Sequence, residues 1–213
     1  MKLYIPKLNQ VVLIIIFAEF LFVMAAGIIV PVFAIFILRD IKDAAIPVIG
    51  FATAIYWLVK SVLQLPIARK LDKNHGEYDD FYSLILGTSI TTMAVFSFYF
   101  ATEIWHIYLL QFIVAIGDAF AVPPFYAIFT RHLDANSEGF EWSLRSSFSL
   151  GAGSAISGAL SGVLAAIIGV RPLYLVNGTL MMIGVIILLF LKPYIRPKAE
   201  KPVERVFIEQ KRV

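Results

Sequence analysis

Six apolar runs make up most of this chain, at residues 11–38, 47–68, 81–101, 105–129, 146–170 and 173–191, and polar residues gather in the gaps between them. Each run reaches the roughly 20 residues that a helix rising about 1.5 Å per residue needs to cross a hydrocarbon core about 30 Å thick. A core helix of a water-soluble protein keeps a polar stripe toward solvent, and these runs mostly lack one. Only 15% of the residues are charged, against about 25% in soluble domains. The period-two alternation over ~10 residues that marks the strands of a membrane barrel is absent. The fold expected is all-α: a membrane protein of six transmembrane helices with lipid as its solvent.

The first run contains Ala25, Ala26 and Gly27, small residues of the kind a signal peptidase cuts beside, but it stays apolar to Leu38. That is well past the ~7–15-residue core of a signal peptide, so it reads as a retained span. Of the 18 lysines and arginines, Lys2, Lys7, Arg69, Lys70, Lys73, Arg131, Arg145 and seven more from Lys192 onward fall on one side of a six-span topology. Arg39, Lys42 and Arg171 fall on the other. The positive-inside rule then places both termini in the cytoplasm and the chain in the cell (plasma or inner) membrane. The division expected is a transmembrane domain at 1–192 and a basic cytoplasmic tail at 193–213. That tail is broken by Pro193, Pro197 and Pro202, with Val203, Val206 and Phe207 on one apolar face. Such a tail is drawn to an anionic lipid surface. Nothing in the chain offers a groove-reading element, so nucleic acid is not an expected partner. Cysteine is absent, which excludes disulfides and thiolate chemistry.

Ionisable residues inside the runs carry the functional signal. Glu19, Lys60 and Asp118 lie at similar depth, Lys60 about 14 Å from the charged end of its helix at the helical rise. Each unpaired charge at that depth costs about 2.5–3.5 kcal/mol or more, so the three must pair or meet water. Glu19 and Lys60, on antiparallel neighbours, are the expected pair. Thr53, Tyr56, Lys60 and Gln64 are spaced 3, 4 and 4 and form one polar stripe on the second helix; a stripe of that kind belongs in the bundle interior or beside a wet cavity. Gln111 and Asp118, seven residues apart, share a face of the fourth helix. These seven residues are the candidate substrate- or ion-binding set. Thr88, Ser89, Thr91 and Thr92 are expected to bond back to their own helix. Ser154, Gly158 and Gly162, spaced by four, form a small-residue seam for close helix contact, and Pro31 is expected to bend the first span. No enzyme site is expected. His75, His106 and His132 sit in turns or at helix ends, and neither an H-E-x-x-H metal pair nor a G-x-x-x-x-G-K-[ST] phosphate loop occurs. No metal or cofactor is therefore expected.

Four local patterns resemble one half of a major facilitator superfamily transporter. The turn Ala68-Arg-Lys-Leu-Asp-Lys-Asn-His-Gly76 is similar to the family's G-x-x-x-D-[RK]-x-G-R motif, with Asp72 and Lys73 in register, Ala68 in place of the glycine and Glu77 where a base is usual. Gln111-Phe-Ile-Val-Ala-Ile-Gly-Asp118 is similar to R-x-x-x-G-x-G, with Gln111 in place of the arginine. The glycine-rich stretch 151–162 resembles the fifth-span motif, and Gly169-Val-Arg-Pro-Leu-Tyr174 resembles the family's G-x-R-x-x-F lead into the sixth. The resemblance implies a 3+3 inverted repeat, about 8–101 and 105–192. The order of an acid followed by a proline, Glu19 then Pro31 and Asp118 then Pro123, recurs accordingly. It also implies a gating role for the Asp72–Lys73 turn.

The family uses two six-helix halves around a midplane site, and this sequence carries one. The function expected is a half-size secondary transporter of a small polar or anionic solute. It would work by alternating access as a homodimer, or with a second six-helix half from another chain, and Lys60 would be the substrate-facing cation. A piece cut from a longer protein is the other explanation of the length. The alternative function is a non-transporting membrane interaction protein, in which the charges merely pair.

Overall fold

The computed structural model describes residues 8–73 and 76–196. Six helical spans cross the bundle, at Gln10–Asp40, Ile46–Asp72, Tyr78–Phe100, Ile104–Arg131, Glu138–Ile168 and Leu173–Tyr194, each long and apolar enough to cross a membrane. No strand occurs among the described residues. The turns between consecutive spans are short, so neighbours in sequence run antiparallel. Lys2, Lys7, Asn74, His75 and residues 197–213 lie outside the described residues, and with them the apolar face of Val203, Val206 and Phe207.

Local chemistry accounts for the irregularities. The first span narrows to a 3₁₀ turn at Val30–Val32 before resuming as Phe33–Asp40. Pro31 lacks the N–H that an α-helix needs there. The fifth span opens as a short helix, Glu138–Leu144, passes through one π-helical stretch, Arg145–Ala152, and continues as Gly153–Ile168. This corrects the boundary read from the sequence. The polar stretch around 130–142 narrows to a turn at residues 132–137, with Glu138 onward helical, and Arg145 sits inside the fifth span rather than in a loop. No proline interrupts the chain from Ser137 to Gly151, and the buried side chains of Glu141 and Arg145 are bonded within the bundle.

The first span packs on the fifth and sixth, the fourth packs on the second and third, and the third packs on the sixth. Exchanging spans one to three with spans four to six maps this set of pairings onto itself. That is the 3+3 arrangement. Two apolar cores form, one around Phe36, Phe98, Leu173 and Tyr174 and the other around Ile15, Leu84, Ile128 and Leu188. The second and fifth spans are the least covered. Leu58, Val62 and Leu65 on one, and Val163 and Ile167 on the other, face outward.

The fifth span meets the first through small residues, but not the trio expected. Ser154, Gly158 and Gly162 are exposed, and a side chain added at Gly158 or Gly162 would touch nothing. The buried seam runs one residue earlier, through Ser149, Gly153, Ser157 and Ser161. Both registers are small enough, and hydrogen bonding decided between them: Ser149 Oγ donates to the carbonyl of Ile16 at 2.9 Å and Ser161 Oγ to that of Ile28 at 2.7 Å. In the threonine-rich third span, Thr88 and Thr92 donate to their own helix as expected.

The third and fourth spans cross backbone to backbone at Gly87 and Gly117. A Cβ at Gly117 would stand 2.8 Å from the carbonyl oxygen of Gly87 and 2.9 Å from the backbone nitrogen of Thr91, and backbone atoms cannot swing aside. Gly117→Leu should therefore destabilise the bundle by at least the ~1–3 kcal/mol of an overpacked core, read as a lowered unfolding temperature in detergent. Gly158→Leu, on the open face, should leave that temperature nearly unchanged.

Candidate functional site

Between the two apolar cores lies a cavity of about 760 Å³, lined by residues of the first, second, third, fourth and sixth spans. Its most polar wall is formed where the second and fourth spans meet. There Tyr56 Oη donates to Asp118 Oδ2 at 2.6 Å and accepts from Lys60 Nζ at 2.9 Å. Lys60 Nζ is itself 3.6 Å from Asp118 Oδ2. Thr91 Oγ1, from the third span, donates to the other carboxylate oxygen at 3.0 Å. The ammonium also lies 5.2 and 5.3 Å from the ring centres of Tyr56 and Trp57, within cation–π range. Helix geometry puts these groups together: Tyr56 and Lys60, four residues apart, share a face, and the glycine crossing at Gly117 brings the third span against Asp118.

Glu19 is paired elsewhere. The expected Glu19–Lys60 pair is corrected: Glu19 bonds Arg145 of the fifth span, and Lys60 bonds Asp118. The first span packs mainly on the fifth and sixth and meets the second through its end segment, Phe33–Asp40, well away in sequence from Glu19. Arg145 is 7% exposed. Its guanidinium lies 5.0 Å from the ring centre of Tyr126 and 5.2 Å from that of Trp142, and it donates to Tyr126 Oη at 3.3 Å. Three membrane-depth charges could not neutralise one another; Arg145 makes four, and four close into two pairs.

Of the other candidates, Thr53 and Gln111 line the cavity. Thr53 spends its hydroxyl on the carbonyl of Ile49 at 2.9 Å. The Gln111 side chain makes no hydrogen bond among the described residues. Gln64, half-buried on the second span, is outside the cavity wall. Asp72 and Lys73 are exposed at the end of the second span, Asp72 close enough to Asp80 for their charges to repel. Asp80 in turn pairs with Arg131. Glu77, where the motif's base would stand, is buried. Its N–H donates to the carbonyl of Arg196 at 3.2 Å and its Oε2 accepts from the Arg196 N–H at 3.0 Å, while His132 Nδ1 lies 3.7 Å from Oε1. The acid ties the chain leaving the sixth span to the turn after the second, which a basic side chain could not do.

Sequence reasoning missed Thr91, Tyr126, Arg145 and Asn177 as site residues. Only Arg145 left a signal, an arginine heading a glycine- and serine-rich helix with aromatic residues on either side. Asn177 and Tyr174 line the cavity from the sixth span, and Asn177 Oδ1, Tyr174 Oη and Glu19 Oε2 are buried with no hydrogen-bond partner among the described residues. Each such atom costs about 1–3 kcal/mol.

A family model described as Major Facilitator Superfamily matches residues 15–212. Among solved structures, the in meso crystal structure of the POT family transporter PepTSo is similar, with a TM-score of 0.70 at 14% sequence identity. The match covers 92% of this chain and 40% of that chain, so the sequence spans well under half the length of the transporter it resembles in fold. A search of the curated proteins returned no match.

Arg145→Leu leaves Glu19 buried without a counter-charge and should cost about 3–5 kcal/mol, whereas the double variant Glu19→Leu/Arg145→Leu should recover most of that loss. Thermal unfolding of the full chain in detergent, run as a double-mutant cycle, reads the difference.

Proposed function

The chain belongs to the major facilitator superfamily, and from that premise we propose that it is a half-size secondary transporter of a small polar or anionic solute. The observation that carries the reading is the Lys60–Asp118 pair, placed at the wall of a central cavity and shared between two spans that hold no other charge at that depth. Lys60 stands just behind this wall, bonded to Tyr56 and paired with Asp118, which both line it, and Asp118 neutralises it at rest. A solute anion competes with that carboxylate for the ammonium. The side chain of Lys60 is 14% exposed and that of Asp118 25%, which leaves the pair open enough for exchange.

Alternating access requires a second wall. The least covered spans are the second and fifth, and a second copy of this chain, or a six-helix partner half, closes the cavity alongside them. With both termini on the cytoplasmic side, as the lysine and arginine asymmetry favours, two copies related by a two-fold axis along the membrane normal enclose one site. Asp72 and Lys73, exposed at the cytoplasmic ends of the helices, are the gating turn in this reading.

One observation favours a different reading. Both ion pairs are internally closed, as they would be in a membrane interaction protein that moves nothing. Lys60→Ala distinguishes the two. In proteoliposomes screened with small organic anions by solid-supported-membrane currents, the variant should abolish the current of the native chain while cross-linking still recovers its assembly. An undiminished current in Lys60→Ala rules out transport through this pair.

A further inference from the structure

The cavity wall limits the body of the solute as well as its charge. Resting on the reading of Lys60 as the anion-facing group, we propose that the solute is an amphipathic organic monoanion. It carries one carboxylate on a compact aromatic or aliphatic body, with at most one or two neutral polar substituents.

Hydrogen-bonding capacity is the first argument. A sugar or polyol needs a donor or acceptor for nearly every hydroxyl, because each one left unpaired on burial is costly. Four of the six hydroxyls on this wall already donate within the bundle. Thr53 donates to Ile49, Thr88 to Leu84, and Thr91 and Tyr56 to Asp118. The remaining neutral groups are the amides of Gln111 and Asn177 and the hydroxyls of Tyr126 and Tyr174; Tyr126 Oη already accepts from Arg145, and Asn177 Oδ1 and Tyr174 Oη are buried with no hydrogen-bond partner among the described residues. Two amides and two phenol hydroxyls can read one or two substituents and are too few to satisfy every hydroxyl of a polyol.

The remaining surface is apolar. Phe33, Trp57, Val95, Phe98 and Met181 face the cavity from four different spans, and aromatic faces and edges reward a flat or compact apolar body. A cavity of about 760 Å³ is the size that holds an organic molecule largely buried, and an inorganic anion would leave most of it to water. Charge sets the last limit. Glu19, also on the wall, is neutralised by Arg145, so a second negative charge on the solute meets no free cation among the described residues.

The test is calorimetric titration of the full chain in lipid nanodiscs with four probes, empty nanodiscs being subtracted. The probes are 3-phenylpropionate, acetate, gluconate and 3-phenylpropanamide. Burial of the phenyl group should make 3-phenylpropionate bind at least about 30-fold tighter than acetate or gluconate. Phe33→Asn should shrink the phenylpropionate-to-gluconate ratio by about fivefold or more, measured at a temperature where its thermal unfolding shows the variant fully folded. Gluconate or acetate binding as tightly as 3-phenylpropionate, or no measurable binding of 3-phenylpropionate, overturns the proposal. An unchanged ratio in Phe33→Asn does so as well. A different failure marks the premise: if 3-phenylpropanamide matches 3-phenylpropionate while both far exceed acetate, the apolar wall is right and Lys60 is not an anion site.

Discussion

Neutralising charge at membrane depth is the constraint on which the rest of this bundle depends. Four ionised groups lie where water is scarce, and each would be costly alone. Glu19 on the first span pairs with Arg145 on the fifth, and Asp118 on the fourth pairs with Lys60 on the second. Exchanging the two three-helix repeats turns one pair into the other. In each repeat the leading helix supplies the acid, and the middle helix of the opposite repeat supplies the base. The two pairs therefore cross-link the repeats, and they sit at the contacts that give the bundle its internal symmetry.

The two pairs have diverged in surroundings. Arg145 is enclosed by aromatic rings and nearly buried, which suits a fixed structural cation. Lys60 reaches its acid partly through a tyrosine hydroxyl and keeps more exposure, which suits a group that changes partner. A single symmetric motif thus provides one tie that holds the bundle and one that can open. Glu77 shows a comparable change of role: an acid at the motif's basic position secures the backbone of Arg196.

Much of the fold was legible in the sequence because lipid leaves a chain few options. Six apolar runs of sufficient length determine six helices, since backbone polar groups in a bilayer must be satisfied within the helix. The polar stripe on the second helix marked Tyr56 and Lys60, and Gln111 and Asp118 were identified by their shared face on the fourth. All but Lys60 line the cavity, and Lys60 bonds two that do. The start of the fifth span was misread because a run of glutamates and an arginine looks like loop when their partners are unknown. Thr91 was assigned to its own helix, as most membrane threonines are, because nothing local distinguishes it from Thr88 or Thr92.

The sequence by itself determined the number of spans, the depth of Glu19, Lys60 and Asp118, and the requirement that those charges be paired. Hydropathy and helical rise are local properties, and they suffice for that. Only the tertiary structure decided which acid meets which base. It also decided which of two interleaved small-residue seams is buried, and whether Glu77 acts as a clamp. Those outcomes depend on which helix lies beside which. In a bundle whose helices are apolar nearly all round, the hydrophobic pattern cannot specify neighbours; close backbone approach at Gly117, serine hydroxyls reaching across to carbonyls, and the two ion pairs specify them instead.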